Sequence, residues 1–225
     1  MQGSFVSWSG GKDGCLSCYR EISNGLKIKY LVNMVTEDSR HSRTHGIFSD
    51  VLQLQSQAIG IPLIQRPTTW DNYETEYKKL LRNLKEEGVE TGVFGDMDVE
   101  EHRKWVQRVC LETGITPCLP LWGRSQKEIL KEFIDLGFEA VVVAAKTAFF
   151  GEEILGQKID SSFIKYVEEQ TERTGLTFCG EAGEYHTLVI NGPMFKQRLE
   201  ITESRKVLRD GLCLLEVSNI ELKTK

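Results

Sequence analysis

Short apolar runs alternate with helically spaced apolar positions through the first half of the chain. Residues 4–8 form an apolar run that stops at Ser9-Gly10-Gly11-Lys12-Asp13-Gly14, and 15–22 carry helical spacing, so the order reads strand, glycine-rich loop, helix. Asn24-Gly25 stops that helix, and 28–36 is a mostly apolar run suited to a buried strand. Residues 37–45 are polar throughout. Helical spacing returns at 50–59 with Gly60 as its stop, and 62–65 reads as a third strand. Next comes a polar helix over 71–87, whose apolar face is Tyr73, Tyr77, Leu80, Leu81 and Leu84; a strand at 91–94, a helix at 100–112 and a short strand at 115–118 follow. This alternation predicts a parallel sheet covered on both faces by right-handed crossovers, an α/β domain over 1–123.

The texture changes in the last hundred residues. Ser125 with Glu128 is a capping box for a helix to about 136, and 140–145 is a buried strand. Asp160 caps a helix over 161–173. Residues 187–190, the Asn191-Gly192 pair and 193–195 read as strand, turn and strand, with further strand patterns at 199–202 and 212–217. The expectation is a smaller α+β domain over 124–225.

Composition narrows the class of protein. Of 225 residues, 40% are hydrophobic and 27% charged, ordinary for a folded soluble chain large enough to bury a full core. No apolar run reaches the roughly 18 residues of a membrane span and no signal segment opens the chain, so a cytoplasmic protein without membrane attachment is expected. A net charge of -5 argues against stable nucleic-acid binding. The six cysteines are scattered without framework spacing; only Cys15 and Cys18 are close, both in the first helix, where buried thiols outweigh metal or redox chemistry.

The first loop carries the chemistry most plainly. Paired glycines before a helix allow close approach by an anion, and the helix dipole favours negative charge there. Ser9 offers a hydroxyl, Lys12 a mobile positive charge, and Asp13 either caps the helix or holds a magnesium ion. A Walker loop is excluded because Val6 and Asp13 stand where its first glycine and its Ser or Thr belong. No Gly-x-Gly-x-x-Gly is present either.

Ser9-Gly10-Gly11-Lys12-Asp13 after the first strand resembles the PP-loop of the N-type ATP pyrophosphatases, which implies a HUP, Rossmann-like sheet that binds ATP and releases pyrophosphate. In an open parallel sheet ligands sit outside the carboxyl ends of strands, so Met34, Val35 and Thr36 are the natural neighbours of adenine. The polar stretch that ends at His45 reads as a solvated loop or as a lid over the phosphates, the lid reading bringing Arg40, Arg43 or His45 to them. Gly95-Asp96-Met97-Asp98 marks a second strand end; Asp96 is expected at the magnesium site and Asp98 as a helix cap.

A second constellation lies at Cys179-Gly180-Glu181-Ala182-Gly183-Glu184-Tyr185-His186-Thr187. Carboxylates next to an aromatic ring suit a cation, above all a quaternary ammonium. With Ser9 to Asp13, with Gly95-Asp96-Met97 and with Pro120-Leu121-Trp122-Gly123, it makes the chain similar to the diphthine-ammonia ligase (diphthamide synthase) family over nearly its whole length. Ala182 departs from the family's usual Glu-Gly-Gly-Glu or Glu-Asn-Gly-Glu form.

That resemblance implies amidation of diphthine, a trimethylammonium-bearing histidine of translation elongation factor 2, with ATP, magnesium and free ammonium, through an acyl-adenylate. It assigns Lys12, Asp13 and Asp96 to catalysis and Ser9, Gly10, Gly11, Lys12, Asp13, Met34, Val35, Thr36, His45 and Gly95 to ATP. Trp122, Gly180, Glu181, Gly183, Glu184, Tyr185, His186 and Thr187 fall to the acceptor, and Asp13 and Asp96 to the metal. A homodimer is expected, without the extra C-terminal domains of longer family members. A PP-loop tRNA-thiolating enzyme and a non-catalytic ATP-binding module are the alternatives.

Overall fold

The computed structural model describes residues 3–43 and 47–225. His45, expected near ATP, lies outside the described residues. Contacts divide the chain into one unit of Met1–Ser9 with Asp13–Trp122 and a second of Gly10–Lys12 with Gly123–Lys225.

The first unit runs β1 (Gly3–Ser7), α1 (Lys12–Ser23), β2 (Ile28–Thr36), α2 (Ser49–Ile59), β3 (Leu63–Thr68), α3 (Tyr73–Glu86), β4 (Val89–Val93), α4 (Glu100–Thr113) and β5 (Thr116–Cys118). All its strand pairs are parallel, in the order β3-β2-β1-β4-β5. The chain therefore winds outward from β1 to β3, returns to β4 and continues to β5, which is the Rossmann-like doubly wound arrangement with its reversal at β1 and β4. Ser4, Phe5 and Val6 of β1 are buried, as the central strand of such a sheet requires. Tyr77, Leu80, Leu81 and Leu84 of α3 join Phe5, Val32, Val89 and Phe94 in one core, each large side chain contributing about 1.5–3 kcal/mol. Gly92 leaves room for Phe5, whose ring would lie 2.6 Å from a Cβ at that position.

The boundaries of β3 and α3 differ from the sequence reading for local reasons. β3 runs on to Thr68 past Pro67, because it is an edge strand and can do without that N–H. α3 begins at Tyr73 and not at 71, since Thr69 and Asn72 form a turn with reciprocal bonds: Thr69 N donates to Asn72 Oδ1 at 2.8 Å and Asn72 N to Thr69 Oγ1 at 3.3 Å. The cap position of α4 falls on Val99, not on Asp98.

The second unit runs α5 (Gln126–Asp135), β6 (Glu139–Lys146), a 3₁₀ turn (Glu152–Ile154), α6 (Ser161–Thr174), β7 (Tyr185–Asn191), β8 (Gln197–Arg209) and β9 (Leu212–Thr224). Both caps read from the sequence form. Glu128 N donates to Ser125 Oγ at 3.4 Å, and Asp160 Oδ1 accepts from Ser162 N at 2.9 Å and Phe163 N at 3.0 Å. A bond from the Ser162 hydroxyl, with those from the Phe163 and Ser162 backbone, holds the Asp160 carboxyl below its ordinary pKa.

The sheet is antiparallel, in the order β7-β6-β9-β8. The hairpin expected across 187–195 is absent, because β7 pairs with β6 and residues 193–195 form no strand. The hairpin of this unit is instead β8 with β9, turned by Asp210 (φ 51°) and Gly211 (φ 77°), a pair able to take the left-handed backbone of a two-residue turn. Its outer part escaped the hydrophobic pattern because charged residues such as Arg205 and Lys206 occupy it. Arg205 pairs across the strands with Glu216 at 2.7 Å.

Candidate functional site

The loop after β1 is fixed from its base. Trp8 N donates to Val32 O at 2.7 Å, Asn33 Nδ2 donates to Trp8 O at 2.7 Å, and Trp8 Nε1 donates to Gln55 Oε1 at 3.1 Å, all in buried surroundings. Gly10 takes φ 78°, a left-handed backbone that suits glycine, and α1 starts two residues later at Lys12. The dipole of α1 therefore begins inside the loop, with Asp13 in its first turn.

Within the first unit, the end of β4 lies against that turn. A Cβ on Gly95 would lie 3.0 Å from both the Asp13 carbonyl carbon and Gly14 N, so a side chain here would require that backbone to give way. Asp96 follows, its Oδ1 3.4 Å from His102 Nδ1. Tyr73 has its pKa pushed up to about 12, first by burial and then by the Asp96 charge, against a lowering from Arg43. Met34 and Val35 are buried in β2 and Thr36 closes the strand; Thr36 N and Oγ1 both donate to His41 O, at 2.8 and 3.3 Å. Arg103 stacks over the Trp122 ring, 4.6 Å from its centroid.

In the second unit, Lys12 is held and not mobile. It is 4% exposed; its Nζ donates to Cys179 O at 2.5 Å and lies 5.0 Å from the centroid of the Tyr185 ring. Its backbone N–H donates to Thr187 Oγ1 at 3.1 Å, and Val189 N donates to Gly10 O at 3.0 Å. A carbonyl and a ring face are both surroundings that favour an ammonium.

The segment from Thr177 to Thr187 is built by its own polar groups. Glu184, 2% exposed, accepts from Thr177 N at 2.7 Å and from Thr177 Oγ1 at 3.0 Å. The Tyr185 hydroxyl donates to Phe178 O at 2.6 Å, and Phe163 meets the ring edge-on at 5.4 Å. Gly180 has φ 75°, and a Cβ there would lie 2.6 Å from Tyr185 O. Lys146 spans the turn: its N donates to Glu184 O at 2.9 Å and its Nζ to Ala182 O at 2.8 Å. Position 182 thus contributes a backbone carbonyl, which any residue there supplies. The enclosed His186 is pushed down to about 4 by burial and by the Lys12 and Lys146 charges, so it is neutral at pH 7.

Cys15 and Cys18 are buried, and burial raises both thiols, Cys18 to about 12. Among the described residues no group of three or more His, Cys, Asp and Glu could hold a metal by itself, and no helix is long and apolar enough to cross a membrane. Thr177, Lys146 and Gln126 were not singled out in the sequence. Thr177 bonds the buried Glu184 carboxylate, while Lys146 and Gln126 bond backbone groups of the segment, which leaves no local spacing to detect.

Two family models match the chain: the diphthamide synthase N-terminal domain over residues 2–117 and the diphthamide synthase C-terminal domain over 125–220. The chain belongs to the diphthamide synthase family. Relatives include a diphthine–ammonia ligase from Danio rerio, 31% identical over 226 residues that cover 89% of this chain and 86% of that protein. Another, from Homo sapiens, is 29% identical over 90% of this chain and 84% of that one. A solved structure described as a predicted subunit of a tRNA methyltransferase from Methanocaldococcus jannaschii is 14% identical over 86% of this chain and 98% of that chain, with a TM-score of 0.44. The diphthamide synthase models meet between 117 and 125, a stretch that contains Leu121, Trp122 and Gly123.

Proposed function

We propose that this chain catalyses the ATP-dependent amidation of diphthine on elongation factor 2, giving diphthamide, with ammonium as the nitrogen source and the cytoplasm as its compartment. The observation that carries this reading is the match of both family domains, with relatives named diphthine–ammonia ligase aligned over most of their own length.

In this reading Ser9, Gly10, Gly11 and the start of α1 receive the phosphates, and Lys12 adds a fixed positive charge. Met34, Val35, Thr36 and Gly95 line the nucleotide. A magnesium ion fits Asp13 and Asp96 only as an ion shared with ATP, because two carboxylates leave most of an octahedron to phosphate and water. Bound there, it would neutralise charge on the phosphates. Trp122 and the 180–187 segment serve the acceptor, with Glu184 and Tyr185 shaping that segment from inside and Glu181 on its turn. Neutral His186 is a hydrogen-bonding group there and not a positive charge.

The chemistry proceeds in two displacements. A diphthine carboxylate oxygen forms a bond to the α-phosphorus of ATP as the bond to the β-phosphate bridge breaks, releasing pyrophosphate. Ammonia then bonds to the acyl carbon as the carbon–oxygen bond to AMP breaks, and the nitrogen sheds a proton. Incubating the protein with ATP, ammonium and diphthine-bearing elongation factor 2, followed by mass spectrometry of the modified peptide, tests the reading. It expects amide in place of acid; unchanged acid in the presence of all three would refute it.

A further inference from the structure

Cys179 is held by the first residue of α5. Gln126 Oε1 accepts from the Cys179 backbone N–H at 2.7 Å, and the Gln126 carbonyl accepts from Cys179 Sγ at 3.3 Å. Cys179 is 2% exposed, so its N–H must find a partner within the protein. The residue before it is tied as well, since Phe178 O accepts the Tyr185 hydroxyl at 2.6 Å. Cys179 O then accepts from Lys12 Nζ at 2.5 Å.

A lysine ammonium rides on a flexible four-carbon stem, and a binding group is only as well placed as whatever fixes its end. The Cys179 carbonyl and the Tyr185 ring face hold that end of Lys12. Gln126 sets the carbonyl. Its backbone and side chain grip the donor groups of the same residue, which limits how Cys179 can turn and therefore where its oxygen points.

The geometry points to Gln126 as a positioning residue for Lys12: acting through Cys179, it places the ammonium that meets a nucleoside triphosphate. This rests on the proposed reading that Lys12 contacts the phosphates of ATP. Removing the Gln126 acceptor takes this bond from the Cys179 N–H and leaves the Lys12 ammonium less well aimed, so nucleotide affinity falls.

The test uses the full chain and α,β-methylene-ATP in calorimetry, with thermal midpoints and steady-state KM values alongside. Gln126→Met keeps the length and removes the acceptor; Gln126→Asn shortens it, and serves if the first variant folds poorly. Both are expected to weaken the analogue about tenfold and to raise KM for ATP while KM for the acceptor stays unchanged. Gln126→Glu retains an acceptor oxygen and is expected to restore most of the affinity. Ser125→Ala removes the cap of the same helix end without touching Cys179; it is expected to lower the midpoint and leave affinity unchanged.

Lys12→Ala separates the two readings. If it binds the analogue as the wild type does, the assignment of Lys12 to ATP fails and the role of Gln126 fails with it. If it weakens binding while Gln126→Met and Gln126→Asn do not, only the positioning role is overturned. Equal losses of affinity in Ser125→Ala and Gln126→Met, or a Gln126→Glu variant as weak as Gln126→Met, would also overturn it, because stability alone would then explain the effect.

Discussion

Glu184 closes on Thr177 with both carboxylate oxygens, one taking the Thr177 N–H at 2.7 Å and the other its hydroxyl at 3.0 Å. The loop that was legible as a cluster of acids is therefore partly an internal brace. Glu184→Gln keeps the volume but sets an amide NH₂ where an acceptor stood, so one part-buried donor loses this partner. The expected loss is about 1–3 kcal/mol of unfolding free energy, read from urea denaturation. A stability equal to wild type would show that the brace contributes nothing.

Gly95 marks the closest approach between β4 and the first turn of α1. Gly95→Ala puts a Cβ 3.0 Å from the Asp13 carbonyl carbon and Gly14 N, both backbone atoms that can move only by displacing the loop. It should cost about 1–3 kcal/mol of stability and weaken ATP binding at the same time. Gly88→Ala is the control: φ there is 80° but among the described residues nothing lies within 4 Å of the added Cβ, so its strain should lower stability and leave nucleotide affinity unchanged.

His186 makes stability depend on pH in a fixed direction. Its folded pKa, about 4, lies below the ordinary 6.5, so the unfolded chain binds the proton more readily. The stabilisation is complete above pH 6.5 and is lost as pH falls toward 4, by an amount on the order of 2–3 kcal/mol. Urea titrations of wild type and His186→Gln between pH 7 and 4 should diverge in slope, with the variant flatter. Parallel curves would mean that His186 is not held neutral.

The hydrophobic pattern carried the first unit nearly whole, because buried parallel strands and amphipathic helices leave strong periodic signals. β2 appears over the residues the pattern named, and the caps Ser125 and Asp160 hold as read. The β8–β9 hairpin was half hidden, since a solvent-facing ribbon rich in Arg, Lys and Glu has no apolar alternation to betray it. The glycines of both loops were legible as backbone requirements, and Gly10, Gly180 and Gly183 do take positive φ. What the sequence could not show is which polar groups are spent on the loop itself. Lys12 reads as a mobile charge until Cys179 O is found against it, 167 residues away.

The identity of the products tests the central claim most directly. With diphthine-bearing elongation factor 2, ammonium, magnesium and ATP, chromatography should show one AMP and one pyrophosphate for each amide formed, and neither should accumulate when the acceptor is omitted. ADP and phosphate in their place, or AMP and pyrophosphate released at the same rate without the acceptor, would contradict amidation through an acyl-adenylate.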